Sequence, residues 1–397
     1  MKYSFDFTKI KKCDVILLDR KSANLKFKNC NYTYLGLKKI NIICLIKTIL
    51  FFFFQKKKFL TINKLYKQNF YRTYQAKIAI GHSLDMRIAE IKILCPEIKT
   101  IVYQVIYYTK RDEVRSYDDL KLVLQISDFI LIYSKEELSF LKRLKIKLDK
   151  RIMIAGSVKA NEKLLIENKK KKYDIMFISQ FIEKTSKFPY LQNDKICLDD
   201  KYKNYINYTQ NFVLEILAEY CKKNNKKLTV AFRNMREGSE VDRRFLFAEE
   251  LKSLKKYLRD PMIELDEIVT FVKKNSWDLA MESKIIVTLF SNLGLELNVH
   301  KRNILFLPLR PKKPHKGVND NFKSNYFNKN LNIVYEYNKK TIFKKIDTML
   351  KPKKKNTPGD LKPNKKSHIK YDENNQKLKK LVSALLLNKK IRFKNEI

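Results

Sequence analysis

The sequence predicts an α/β protein with two parallel-sheet domains, and three observations carry that expectation. Short β-branched or aromatic runs recur along the 397 residues, each followed by a polar or small residue and then a helix-like segment. Several runs, such as Ile285-Ile286-Val287-Thr288-Leu289 and Phe129-Ile130-Leu131-Ile132-Tyr133, are apolar almost throughout, as strands covered on both faces must be. Near the middle, Asn168-Lys169-Lys170-Lys171-Lys172 is too charged for a core and suits a connection between domains.

Taken in order, the first half offers strands at 14–18, 77–80, 100–105, 129–133 and 152–155. The second half offers 174–178, 227–232, 262–265, 285–289, 304–307 and 333–335. Two sheets of five or six strands follow. The domains are expected at 1–160 and 174–350, joined by a linker at 161–173. From 351 to 370 three of the nine prolines sit among lysines, which reads as extended linker, and 376–393 spaces Leu378, Leu381, Val382, Leu385 and Leu386 near helical periodicity. Residues 351–397 are therefore expected as a basic linker and C-terminal helical tail. That tail carries 15 basic and four acidic residues, so most of the net charge of +43 belongs to the body.

Composition narrows the function classes. Hydrophobic residues at 44% and aromatics at 12% exclude a disordered chain, although 32% of residues are charged. The basicity admits nucleic acid, anionic membrane or phosphorylated substrates as partners, and a Lys- and Asn-rich coding bias explains it equally well. Against nucleic acid, the lysines are spread along the whole chain and no RNA- or DNA-binding motif supplies specificity. Cys13, Cys30, Cys44, Cys95, Cys197 and Cys221 are scattered, and with only four histidines neither a metal site nor a disulfide framework is indicated. Residues 1–12 lack the apolar core of a signal peptide, so a reducing cytoplasm is expected. The most apolar stretch, 40–54, is too short to span a bilayer and holds Lys47 in its middle, which suggests a buried or interfacial helix.

The chain has only seven glycines, and three follow predicted strands: Gly81, Gly156 and Gly294. In an open parallel sheet those positions lie at the strands' carboxyl ends, where ligands bind; a tight turn or close packing explains them as well. Gly238 reads as a loop residue, and Gly36, Gly317 and Gly359 suggest nothing sharper. The strongest constellation is a buried strand leading into Ser291-Asn292-Leu293-Gly294 and a helix expected to about His300. Ser291 or Asn292 can cap that helix, and its first-turn amides and dipole favour an anion such as phosphate. Glu296, expected on the first helical turn, could accept from sugar hydroxyls; as an alternative it closes a capping box with Ser291.

These residues resemble the donor half of GT-B glycosyltransferases, in which a strand, a small-residue turn and a Ser/Thr-x-x-Gly-x-Glu helix start bind a nucleotide sugar. More narrowly the chain resembles bacterial surface-carbohydrate biosynthesis proteins from AT-rich genomes. The elements that carry this are Asp14-Val15-Ile16-Leu17-Leu18-Asp19, Gly156-Ser157-Val158-Lys159-Ala160-Asn161, Phe177-Ile178-Ser179-Gln180-Phe181 and Ser291 to Glu296. The resemblance implies two Rossmann-like, doubly wound domains facing a central cleft. It implies donor recognition by Ser291, Asn292, Gly294 and Glu296, with Ser179, Gln180 and Arg233 lining the cleft and Gly81, Gly156 and Ser157 supplying cleft backbone.

It also implies transfer of a sugar or polyol phosphate to a glycan or lipid-linked acceptor, with no cofactor or metal, at the inner face of the cytoplasmic membrane. The departing diphosphate needs charge stabilisation, for which Arg233 is a candidate; its alternative is an ion pair with Glu237 or Glu240. The acceptor hydroxyl needs a base, and His82 or Asp85 is the candidate, His82 having hydrogen-bonded structure as its alternative. The basic body and the 376–393 helix are expected to hold the protein on an anionic membrane. Where that family shows an Asp-Asn pair and a Gln-Asn-Gly turn, this chain reads Gly81-His82-Ser83-Leu84-Asp85 and Gln104-Val105-Ile106. Those departures point to a different acceptor or to a non-catalytic scaffold of polysaccharide assembly.

Overall fold

In each half of the chain, apolar strands alternate with helices. The computed structural model describes residues 4–6, 10–19, 25–35, 39–54, 61–105, 117–162, 170–180, 200–232, 250, 269–270, 275–309, 331–351, 363–364, 367 and 369–389. The expected strand at 262–265, the 168–169 part of the lysine run, Phe181, Cys197, Arg233, Glu237, Gly238, Glu240, Gly36, Gly317 and Gly359 lie outside them. Contacts divide the chain into two units, Met1–Leu164 with Ile369–Ile397, and Leu165–His368.

The first unit holds a parallel six-stranded sheet in the order β3-β2-β5-β6-β7-β8. The strands are β2 (Val15–Leu17), β3 (Tyr32–Tyr34), β5 (Ile78–His82), β6 (Lys99–Tyr103), β7 (Phe129–Ile132) and β8 (Ile152–Ile154). A separate parallel pair joins β1 (Ser4–Asp6) to β4 (Lys39–Asn41). Both faces of the sheet are covered over its inner strands, so both parities of β2, β5, β6 and β7 are largely apolar, while the edge strand β3 is exposed at both tyrosines. Ile16, Leu18, Ala79, Val102, Ile130 and Ile152 pack against helices α3 (Met86–Leu94), α4 (Tyr117–Ile126) and α5 (Glu137–Arg143), which follow α1 (Ile42–Phe54) and α2 (Ile62–Thr73) in the chain and precede α6 (Val158–Glu162). The opposite parity, Val15, Leu17, Ile78, Ile80, Ile101 and Tyr103, packs against Leu378, Leu381 and Val382. These last belong to the C-terminal helix Gln376–Leu386. That helix, expected from sequence as part of a tail, is built into the core of the first unit. Its three apolar residues at helical spacing contribute about 1.5–3 kcal/mol each on full burial.

The second unit repeats the plan with order β11-β10-β9-β12-β13-β14. Its strands are β9 (Tyr173–Ile178), β10 (Leu228–Ala231), β11 (Val269–Thr270), β12 (Ser283–Thr288), β13 (Ile304–Phe306) and β14 (Asn332–Ile333), all parallel. Ile175, Phe177, Leu228, Val230, Ile285 and Val287 form one core with Val213, Leu214 and Leu217 of helix α7 (Asp200–Lys223) and with Ile342 and Ile346 of helix Lys339–Leu350. Each sheet is wound outward in both directions from its first central strand. Chain order therefore reverses between β2 and β5 in one unit and between β9 and β12 in the other. In open α/β sheets the carboxyl edge at such a reversal is where a ligand crevice forms.

Candidate functional site

At the reversal of the second sheet, the two sequence elements singled out on β9 and β12 come together. Ser179 and Gln180 follow β9, and Phe290 and Ser291 follow β12. The Gln180 side-chain oxygen accepts the Phe290 N–H at 2.8 Å, tying one strand end to the other. Gln210, on α7, organises the same edge: its Oε1 accepts from the Gln180 N–H at 2.6 Å and from Ser179 Oγ at 3.1 Å. Ser179 Oγ also donates to Glu250. Ser179 and Gln210 are buried, and Gln210 Nε2 has no hydrogen-bond partner among the described residues. Sequence reasoning missed Gln210 and Glu250. The available signal was a Gln-Asn pair, Gln210-Asn211, interrupting the apolar face of a 24-residue helix.

Ser291 caps the helix Asn292–Val299, its Oγ accepting from the Leu293 N–H at 3.2 Å. The Ser291 carbonyl takes the Gly294 N–H at 2.9 Å, and the Ser291 N–H donates to Thr288 Oγ1 at 3.3 Å. The cap thus uses the Leu293 and Gly294 amides that the sequence reading offered to a phosphate, which leaves the helix dipole as the attraction for an anion. With Ser291 at N-cap, Gly294 occupies the third helical position and Glu296 the fifth. Glu296 is therefore on the second turn rather than the first, and it cannot be the third-position acceptor of a capping box. It is 6% exposed. A Cβ on Gly294 would meet Phe306 Cε1 and Thr288 Cγ2 at 3.0 Å, so this glycine lets the helix lie close on β12 and β13. Asn292 is half-buried at the first helical position.

The first unit's reversal has its own polar edge. Residues 15, 17 and 19, then 78, 80 and 82, then 101 and 103, alternate onto one face of the sheet. That parity brings Asp19, His82 and Tyr103 to the carboxyl edge, where Tyr103 Oη donates to Asp19 Oδ2 at 2.5 Å. His82 Nδ1 accepts the Leu84 N–H at 3.2 Å, which engages one ring nitrogen of the expected base. Asp85, the other expected base, is engaged as well. It caps α3, and Arg87 claims both its oxygens, through Nε at 2.9 Å and Nη2 at 2.7 Å. Arg87 also donates to the carbonyls of Leu35 and Leu18. Burial alone would lower the guanidinium pKa, but hydrogen bonding to Asp85 and its charge outweigh that and raise it. A Cβ on Gly81 would lie 3.1–3.2 Å from Ile88 and Leu18, which assigns Gly81 to helix–strand packing.

Gly156 and Ser157, expected as cleft backbone, are covered by the chain itself. Gly156 has φ +71°, and a Cβ there would sit 2.0 Å from the Lys370 carbonyl oxygen. Ser157 is 2% exposed, and its Oγ accepts the Ala160 N–H at 3.4 Å. Asn161 Nδ2 donates to the Ala155 carbonyl and to Asn375 Oδ1, while its oxygen accepts the Asp372 N–H at 2.9 Å. The 156–161 element docks the returning C-terminal segment.

Comparison with known proteins agrees with this architecture. The sequence profile of a family described as "putative O-antigen biosynthesis protein" matches residues 107–386. No curated protein matches the sequence. Among solved structures, the chain resembles Methanocaldococcus jannaschii UDP-GlcNAc 2-epimerase in complex with UDP-GlcNAc and UDP, at 11% identity and TM-score 0.52, covering 95% of this chain and 99% of that one. It resembles the S. aureus MnaA-UDP co-structure at 12% identity and TM-score 0.53, covering 97% and 100%. The Neisseria meningitidis UDP-GlcNAc 2-epimerase bound to UDP-GlcNAc gives 12% identity and TM-score 0.50, covering 96% and 100%. At such identities the likeness is one of fold: two Rossmann-like, GT-B-like parallel-sheet domains.

Proposed function

We propose a function from one premise: this chain belongs to the family of O-antigen biosynthesis proteins whose profile it matches over residues 107–386. Within surface-glycan synthesis, it transfers a sugar or polyol phosphate from a nucleotide-activated donor to a membrane-associated glycan acceptor. The donor diphosphate lies at the carboxyl edge of β9 and β12, before the capped helix that starts at Asn292. Gln180 and Gln210 hold the edge in shape, the dipole of that helix attracts the phosphates, and Ser291, Asn292 and Glu296 contact the donor. The donor is a substrate, and the reaction runs without a resident cofactor or metal. Arg233, one residue beyond the described end of the 228–232 segment, assists the leaving diphosphate.

The single observation that carries the reading is the Gln180–Phe290 hydrogen bond, because it joins the two motifs at the topological switch point of the sheet. The UDP and UDP-GlcNAc in the complexes of the structural neighbours support starting with uridine donors. On the acceptor side, Asp19 replaces His82 and Asp85 as the candidate base, held by Tyr103 Oη.

The departures from the family pattern at residues 81–85 and 104–106 favour a second reading, a non-catalytic scaffold that binds the nucleotide sugar without turning it over. The experiment incubates the full chain with UDP-, GDP-, CMP-, CDP- and dTDP-linked sugars and extracted lipid-linked glycans, and follows nucleotide release and glycan product. Acceptor-dependent consumption of one donor is expected for the enzyme. Binding without consumption selects the scaffold, and neither binding nor consumption overturns both readings.

A further inference from the structure

Helix α1 (Ile42–Phe54) buries only a narrow stripe, Cys44 and Thr48, with Thr48 Oγ1 donating to the Cys44 carbonyl at 2.7 Å. Much of its remaining surface is open and apolar. Ile43, Ile46, Leu50, Phe51, Phe53 and Phe54 are exposed, Phe53 and Phe54 at 76% and 82%. Ile43, Ile46, Leu50 and Phe53 follow the three- and four-residue spacing of a single helix face. A contiguous apolar face on this scale marks an interaction surface rather than ordinary scatter. At about 1.5 Å per residue the helix is about 20 Å long, short of the about 30 Å hydrocarbon core of a bilayer. Among the described residues no helix is long and apolar enough to cross a membrane.

Charge identifies the occupant. From residue 20 to residue 84 the sequence has 14 Lys or Arg and no Asp or Glu. Lys38-Lys39 precedes the helix, Lys47 lies on its exposed side and Lys56-Lys57-Lys58 follows its end. A second copy of this chain would present the same cations to these, a repulsive pairing. An anionic bilayer offers hydrocarbon to the phenylalanines and phosphate to the lysines at once. We infer that α1 is a monotopic membrane-docking helix that seats the first unit on an anionic lipid surface, lying in the plane of the headgroups. The C-terminal helix, expected for this role, has Leu378, Leu381 and Val382 committed to the core.

Sedimentation of the full chain with phosphatidylcholine vesicles, and with vesicles also containing phosphatidylglycerol, tests this without reference to any nucleotide. Binding is expected only to the anionic vesicles, weakened by salt, and weakened about tenfold or more in the Phe53→Asp/Phe54→Asp variant. Both positions are exposed, so the variant's thermal melt should match wild type; Phe54→Ser alone serves if it does not. Wild type that stays in solution with both vesicle types, or a folded variant that sediments as well as wild type, overturns the proposal. So does light scattering that finds a wild-type dimer split by the variant, since α1 is then a contact between copies.

Discussion

Gln180 Oε1 accepts the backbone N–H of Phe290 at 2.8 Å, although the two residues are 110 positions apart. This bond closes the edge between β9 and β12 from which the donor reading proceeds. Gln180→Ala leaves the part-buried Phe290 N–H without this partner and loosens the turn before Ser291. The expected result is a stability loss of about 1–2 kcal/mol in a denaturant melt and a larger relative loss in nucleotide-sugar affinity, about tenfold by calorimetry. A variant that binds as wild type separates the turn from the donor site.

Asn161 and Asn375 join two distant parts of the first unit side chain to side chain, Nδ2 to Oδ1 at 2.9 Å across 214 residues. Asn161→Ala removes this bond, the one to the Ala155 carbonyl and the acceptor of the Asp372 N–H. The expected cost is about 2–4 kcal/mol, because buried polar groups lose their partners, with donor affinity unchanged. Chemical denaturation checks the first part and calorimetry the second.

Strand centres were legible in the sequence because sheets covered on both faces demand continuous apolar runs, as in Val15-Ile16-Leu17 and Ile285-Ile286-Val287. The edge strand Tyr32–Tyr34 was not, since both tyrosines are about 40% exposed and nothing in the three residues signals a core. The two-residue Val269–Thr270 strand is too short for any periodicity. At the carboxyl edge of β9 and β12, the Ser291 cap and the close packing at Gly294 were legible from local turn and cap chemistry. Gln210 was not, because its role depends on where β9 ends in space. Gly156 misled for a related reason. It was expected as cleft backbone, but its neighbour is the chain's own carbonyl at Lys370, over 200 residues away.

Asp128 supplies a pH test of the first unit. Burial alone would raise its pKa, but hydrogen bonds from Lys92 and the Thr100 N–H, with the Lys92 and Lys99 charges, hold it below the ordinary 3.8. A depressed carboxyl contributes stability above its unfolded pKa and loses it as pH falls through the folded value. Asp128→Asn is therefore expected to cost about 1–3 kcal/mol at neutral pH, with the gap to wild type narrowing below about pH 4. Melts across that range check the trend; a gap that widens in acid contradicts it.

Asp19 supplies the test of the acceptor side. If it takes the acceptor proton, Asp19→Asn is expected to lower the transfer rate about 100-fold or more with donor affinity unchanged. Tyr103→Phe, which removes only the hydroxyl donating to Asp19 at 2.5 Å, is expected to lower the transfer rate about tenfold, because the carboxylate loses the bond that positions it. Initial rates of both variants, with calorimetry for donor affinity, are the measurement.

The central claim is that a nucleotide diphosphate occupies the edge between Ser179-Gln180 and Ser291 to Glu296. Calorimetric titration of wild type and Glu296→Ala with the donor found in the nucleotide panel tests it most directly. The account predicts saturable one-site binding to wild type, about tenfold or more weaker in the variant, with both proteins melting cooperatively. Equal affinity for the two, with both folded, would contradict it.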